Sequence, residues 1–211
     1  MQTGVSRATL KRLPHYLHYL RTLDYSQGEN ISATSIAKAL GFGEVQVRKD
    51  LGSVSGAGKP RTGYVITELI KQLESYLGYD NISIAVIVGA GKLGKALLDY
   101  KGFSEYGLKI SAAFDTDKEK VGTTENGKPI LSMDEFSDYC KNENVKLGII
   151  TVPAPYAQSV CNTMIENNIS AIWNFAPTHL KTPDNVIIYN ENMALSLAML
   201  SGQLALLNRR T

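Results

Sequence analysis

The sequence predicts an α/β protein in which a small helical domain precedes a parallel-sheet domain. Three observations lead there. A run of β-favouring residues, Ile84 to Val88, stops at Gly89-Ala90-Gly91 and passes at once into a helical pattern from Lys92 to Tyr100. From that point apolar runs alternate with helical periods as far as Tyr189, which is the layout of strand–helix–strand units. The first third reads instead as successive short helices. Residues 1–77 carry ten Lys/Arg against six Asp/Glu, a net +4, whereas residues 78–211 carry twelve against fourteen, a net −2.

Composition narrows the function classes. Apolar residues make up 44% and charged residues 20% of the 211, an ordinary globular balance. The longest unbroken apolar run, residues 84–88, is too short to cross a bilayer. Met1-Gln2-Thr3-Gly4 shows no apolar leader, so the expected location is cytoplasmic. Cys140 and Cys161 are the only cysteines; a reduced, structural role is expected for both, and no metal site is predicted. A basic first third points towards nucleic acid.

In that first third, Ser6 is placed to cap a helix whose apolar face is Leu10, Leu13, Leu17, Leu20 and Leu23, with Pro14 kinking it or marking its start. Arg7, Lys11, Arg12 and Arg21 give it a basic edge. Ser32 caps a second helix with Ile36, Ala37 and Leu40 inward, ended by Gly41. About three residues later a third helix starts at Glu44. Val47 and Leu51 face inward there, leaving Gln46, Arg48, Lys49 and Asp50 outward. A short helix, a glycine turn and a basic helix make a helix-turn-helix. Gly56 to Val65 follows as a glycine-rich hairpin with Lys59 and Arg61 near its tip, which turns the reading into a winged helix-turn-helix. The third helix would enter a major groove, while the wing would lie along phosphates or in a minor groove. Thr67 caps a last helix with Leu69, Ile70, Leu73 and Leu77 inward. The domain spans residues 1–79.

Residues 80–190 read as a Rossmann-like domain. Gly89, Gly91 and Gly94 stand at G-x-G-x-x-G spacing between strand and helix, and Ala90, Lys92 and Leu93 complete the turn. Such a turn offers backbone N–H groups and a helix N-terminus to a pyrophosphate. The next strand, Lys109 to Phe114, ends at Asp115, where an acid would meet the adenosine ribose hydroxyls. Asp115 with Asp117 would repel a 2′-phosphate, favouring NAD(H). Ser132 and Glu135 form a capping box for a helix to Tyr139. Two further strands end at Thr151-Val152-Pro153 and at Asn174-Phe175-Ala176, at the sheet edge that binds ligands. Thr151 and Asn174 read equally well as satisfied structural residues. Val186 to Tyr189 closes the alternation.

The expected ligand is therefore a nicotinamide dinucleotide, and the job remains to be settled. An oxidoreductase needs a proton donor or acceptor beside the nicotinamide. His15 and His18 lie in the winged helix, His179 in a proline-flanked loop, and Cys161 on the buried side of a helix. No catalytic residue is assigned. A small NAD-dependent oxidoreductase with an accessory nucleic-acid-binding domain is the second reading, and a scaffold holding NAD for structure is a third. Residues 191–211 are a helix apolar nearly all round, which must be buried, in a partner subunit or on its own domain.

Several strings together resemble the Rex family of redox-sensing transcriptional repressors along the whole chain. They are Arg12-Leu13-Pro14, Gln46-Val47-Arg48-Lys49-Asp50-Leu51, Gly63-Tyr64, Gly89–Gly94, Asp99-Tyr100-Lys101-Gly102-Phe103, Phe114-Asp115 and Asn174-Phe175-Ala176-Pro177. The resemblance implies a homodimer with exchanged C-terminal helices, an inverted-repeat double-stranded DNA operator, and release from it by NADH, with NAD⁺ competing for the same site. It implies Tyr100 near the nicotinamide and Asn174-Phe175 lining its pocket. This chain departs from the family at Asn192-Met193-Ala194-Leu195, where Ala194 replaces a carboxylate. It departs again at Gly52-Ser53-Val54-Ser55, the turn expected after the recognition helix.

Overall fold

A computed structural model describes residues 5–26, 28–124 and 126–208; residues 1–4, on which the expectation about a leader rests, and the last three of the C-terminal segment lie outside it. The chain divides into two units between Asn81 and Ile82.

In the first unit, α1 (Arg7–Thr22) begins where Ser6 Oγ accepts the Thr9 N–H at 3.1 Å. The helix runs through Pro14, which has no N–H to give the Leu10 carbonyl. Its buried face is Thr9, Leu13, Tyr16, Leu17 and Leu20. Leu10, expected on that face, is 38% exposed, because the stripe centres on Leu13, Tyr16 and Leu20 and leaves position 10 at its margin. Strand β1 (Asn30–Ile31) leads into α2 (Ala33–Leu40), started by Ser32 Oγ and ended by Gly41 at φ 69°. Helix α3 (Glu44–Ser55) buries Val47, Asp50 and Leu51. It takes in Gly52–Ser55, so the turn expected there is helical. Lys59 and Gly63 exchange both backbone hydrogen bonds, at 2.8 and 2.9 Å, and close the wing. Strand β2 (Tyr64–Val65) then pairs antiparallel with β1. Gly63 is needed at this join: its φ is +80°, and a Cβ would stand 2.2 Å from the Ile31 carbonyl oxygen. Helix α4 (Ile66–Leu77) starts straight from β2 with Val65 at its N-cap, not Thr67. Pairing with β1 fixes the chain, and Ile66 N–H donates to the Glu29 carbonyl, so no side-chain cap is required.

The second unit is a seven-stranded sheet. In chain order its elements are β3 (Ser83–Val88), α5 (Lys92–Asp99), β4 (Leu108–Asp115), β5 (Gly122–Thr123), β6 (Pro129–Ser132), α6 (Phe136–Asn142), β7 (Leu147–Ile150), α7 (Ala154–Glu166), β8 (Ala171–Asn174), β9 (Ile187–Asn190) and α8 (Met193–Asn208). The spatial order is β5-β6-β4-β3-β7-β8-β9, parallel throughout except for β5 at one edge. Five strands were legible as apolar runs; β5 and β6 are too short and too polar to show a period. The Ser132–Glu135 capping box is present, over a 3-10 turn that leads into α6.

One face of the sheet is covered by α6 and α7, through Phe136, Cys140, Ala157, Cys161 and Met164. The other is partly covered by Leu98 of α5 and by Phe103. It leaves a cavity of about 280 Å³ lined only by Ala85, Phe103, Leu108, Ile110, Leu147, Ile149, Trp173 and Tyr189. Every residue of α8 is exposed, including eight Leu and Met side chains. In this structure the helix does not pack on its own domain. Both cysteines are buried, and burial pushes the Cys140 thiol up to about 11, so neither presents a thiolate.

Candidate functional site

The sheet order reverses between β3 and β7, so the cleft beyond their carboxyl ends is the expected ligand position. A cleft of about 700 Å³ lies there. It brings together Gly89, Gly91, Asp115, Thr151, Val152 and Pro153 from the predicted set. The three motif glycines have three different reasons. Gly89 sits at φ +107°, and a Cβ on it would approach the Thr151 backbone to 2.9 Å. A Cβ on Gly94 would stand 1.9 Å from the Gly89 carbonyl oxygen, so that glycine lets α5 pack against the turn. A Cβ on Gly91 would meet nothing within 4 Å. Its open space faces the cleft at the start of α5, which has no side-chain cap and whose first N–H groups remain available to an anion. A pyrophosphate fits this cradle.

Asp115 is nearly buried and organises the turn. Its Oδ2 accepts the Ala90 N–H at 2.8 Å, its Oδ1 the Asp117 N–H at 2.9 Å. Lys120 Nζ lies 3.3 and 3.1 Å from the two oxygens, and 3.5 Å from Asp117. Burial alone would raise this carboxyl; the two N–H donors and the ammonium outweigh it and hold it below the usual carboxylate range. Thr151 Oγ1 donates towards the Gly89 carbonyl at 2.7 Å, with the Val88 carbonyl at 3.2 Å, so it ties β7 to the glycine turn. Val152, Met133 and Val160 give the cleft apolar walls suited to a flat adenine ring.

Lys92, Leu93 and Gly94 form the first turn of α5, and Ala90 reaches Asp115 through its backbone, so these four frame the cradle without lining it. Tyr100, Asn174, Phe175 and Ala176 lie outside the cleft. The Asn174 side chain is fully buried, donates to the Ala176 and Thr178 carbonyls and to Asn190 Oδ1, and accepts the Ala176 N–H. These bonds fix the turn carrying Phe175 and Ala176. Tyr100 is exposed and meets Phe103 edge-on, with ring centroids 5.0 Å apart. The cleft also holds residues the sequence reading missed: Lys120, Tyr156, Ser159 and Thr163. None of the four belongs to a motif; Lys120 stands five residues beyond Asp115.

The second candidate surface is on the winged helix. Gln46, Arg48 and Lys49 are exposed on α3, beside a 78%-exposed Val45. Arg48 pairs with Glu44 one turn back. A cleft of about 470 Å³ between α2, α3 and the wing brings Ser32, Arg48, Lys59 and Arg61 together. Arg61, at φ 67°, takes the left-handed position of the wing turn.

Two predicted residues behave otherwise. Asp50, expected outward, is 2% exposed and faces α1. Arg12, expected at DNA, grips it with Nε at 2.7 Å and a second guanidinium nitrogen at 3.0 Å. Tyr16 Oη donates to the same carboxylate at 2.8 Å, Thr9 Oγ1 at 3.0 Å and Gln46 Nε2 at 3.4 Å. The reason is helical phase: positions 47, 50 and 51 share the inward face, and a carboxylate can sit there only when donors such as these meet it. Burial would raise Asp50, but Arg12, Tyr16, Thr9 and Gln46 together hold it low, while burial and the neighbouring carboxylate push Tyr16 up to about 12.

Among the described residues no helix is long and apolar enough to cross a membrane, and no cluster suits a metal. Residues 4–52 match the family described as "putative DNA-binding protein N-terminus", and residues 80–178 the family described as "CoA binding domain". The redox-sensing transcriptional repressor Rex of Treponema denticola is 41% identical over 192 residues, 91% of each chain. That of Bacteroides fragilis is 38% identical over 96% of this chain and 92% of its own. Crystal structures of RSP, a Rex-family repressor, superpose closely. The complex with beta-NAD⁺ and operator DNA has a TM-score of 0.88 at 32% identity, covering 95% of this chain and 92% of that one. The complex with beta-NADH has 0.87 at 30%, covering 99% of both. With this identity over nearly its whole length, the chain belongs to the Rex family of redox-sensing transcriptional repressors.

Proposed function

We infer that this chain represses transcription as a homodimer on an inverted-repeat operator and leaves the DNA when NADH binds, so that it reads the NADH/NAD⁺ ratio in the cytoplasm. The observation that carries this is one chain holding both a basic winged helix and a glycine cradle closed by a ribose acid, within a family of repressors. Residues 1–79 bind DNA, 80–190 bind the nucleotide, and 191–211 join the dimer. Gln46, Arg48 and Lys49 meet the major groove, and Lys59 and Arg61 the backbone or minor groove, with Ser32 beside them. Gly89 to Gly94 hold the pyrophosphate, Asp115 the adenosine ribose, and Thr151–Pro153 the adjoining wall. Tyr100 and the Asn174–Ala176 turn belong to the nicotinamide end. Exchange of α8 is supported by its complete exposure and by the apolar sheet face left open in each copy. The oxidoreductase reading finds no support among relatives, which are named as repressors.

Linkage fixes the thermodynamics: if NADH weakens DNA binding by some factor, DNA weakens NADH binding by the same factor. Duplexes selected from a random pool by the protein, then titrated with NADH and NAD⁺ in fluorescence anisotropy, test the reading. NADH should release the duplex at concentrations where NAD⁺ leaves it bound. Release by neither nucleotide would sink the sensor function, and turnover of NADH with small carbonyls would restore the enzyme.

A further inference from the structure

The ribose acid is already occupied by the protein itself. An ionised carboxylate offers about four lone-pair positions. Ala90 N–H and Asp117 N–H take one on each oxygen of Asp115, and both donors belong to the backbone of the turn. Lys120 Nζ spans the remaining positions of both oxygens and also reaches Asp117. Lys120 lines the same cleft as the glycines, and its side chain is 38% exposed while that of Asp115 is 10% exposed. Ribose hydroxyls are donors in the same sense as the ammonium, and the only part of the Asp115 acceptor surface held by a movable group is the part Lys120 holds.

We propose that Lys120 is an internal competitor for the adenosine ribose: its ammonium must leave Asp115 before the 2′- and 3′-hydroxyls can bind there. The inference rests on the nucleotide-binding function proposed above. Its first consequence is a weakened but redox-neutral affinity, because the adenosine end is common to NAD⁺ and NADH. Its second concerns charge. With Lys120 in place the corner of Asp115, Asp117 and Lys120 carries a net −1; once displaced, the ammonium stays tethered beside Asp117, within reach of the ribose edge. Exclusion of a 2′-phosphate then rests on Asp115 being satisfied by hydroxyls rather than on two uncompensated carboxylates.

Isothermal titration of the intact protein with NADH, NAD⁺ and ADP-ribose, in parallel for wild type, Lys120→Met and Lys120→Arg, tests this. A partly exposed ion pair of this kind is worth up to about fivefold in a binding constant at low salt. Lys120→Met should therefore bind all three ligands more tightly, by about two- to fivefold and by the same factor for each, with the gain shrinking at high salt. Lys120→Arg, which keeps a cation at Asp115, should stay nearer wild type. Equal or weaker binding by Lys120→Met with its thermal unfolding unchanged overturns the proposal, making Lys120 a bystander or a ligand contact. A gain confined to NADH also overturns it, by moving the effect to the nicotinamide end. Failure of the wild-type protein to bind any of the three ligands would overturn the proposed function itself, a result distinct from either.

Discussion

Removing both partners of the Arg12–Asp50 pair should cost the winged helix less than the sum of removing each alone. Asp50 is 2% exposed and accepts four hydrogen bonds at 3.0 Å or less, two of them from the guanidinium. Breaking a buried pair by deleting one partner costs about 3–5 kcal/mol, because a charge is left without compensation. Arg12→Met strands the carboxylate, with only Tyr16, Thr9 and Gln46 as neutral donors. Asp50→Asn strands the guanidinium, which is 19% exposed and can recover part of its hydration, so its cost should lie near 3 kcal/mol, at the lower end. The double variant removes both charges, and its loss should fall short of the sum of the singles by about 2 kcal/mol, within the range of contacting residues. Thermal unfolding by far-UV circular dichroism, at one protomer concentration because assembly shifts the midpoint, reads the cycle. For a domain of this size a loss of about 3 kcal/mol lowers Tm by more than ~10 °C. Additive single losses, or singles costing under about 1 kcal/mol, would refute the view that this carboxylate fixes α3 against α1.

Further outcomes follow from the same geometry. Gly91→Ala should leave Tm unchanged and weaken NADH binding at least about tenfold, since its Cβ would fill only the cradle; Gly94→Ala should lower Tm sharply, because its Cβ collides with the Gly89 carbonyl. Calorimetry and thermal scans on both variants separate the two effects. Lys59→Ala or Arg61→Ala should each flatten the slope of log affinity against log salt by about 0.9 if the side chain neutralises one phosphate, with NADH binding unaltered. Asp50 and Asp115 are both held below their unfolded value of about 3.9, so their stabilisation is present above that pH and is lost as pH falls through the folded values. Acid titration by circular dichroism should show this loss, and Asp50→Asn should flatten it. Deleting residues 193–208 should give monomers in sedimentation at any accessible concentration.

Much of this was legible because it depends on local pattern. Ser6 and Ser32 start their helices and Gly41 ends one, as their side chains or lack of one require, and the glycine triplet with Asp115 needs only spacing. What escaped depends on what a residue meets elsewhere. Asp50 reads as a solvated charge until α1 brings Arg12, Tyr16 and Thr9 against it. Asn174 reads equally as a ligand contact or a structural residue, and only the folded turn shows its amide bonded to Ala176, Thr178 and Asn190. Thr67 reads as a cap until β1 pairs with β2 and starts the helix sooner. Lys120 is one lysine among several in sequence, and only the folded loop sets it on Asp115. The C-terminal helix reads as needing burial because it is apolar nearly all round, yet in the single copy its residues from Met193 to Asn208 are all exposed.

Helix α3 separates two kinds of constraint along one stretch of chain. Val47, Asp50 and Leu51 answer to the domain interior, whereas Val45 and Lys49 are exposed. Changes at these outer positions are nearly free of stability cost, so in the proposed DNA-binding role the bases preferred by the helix can drift, or be redesigned, while its placement stays the same. The buried carboxylate thereby lets a lineage exchange one set of target genes for another without rebuilding the domain that carries the reader.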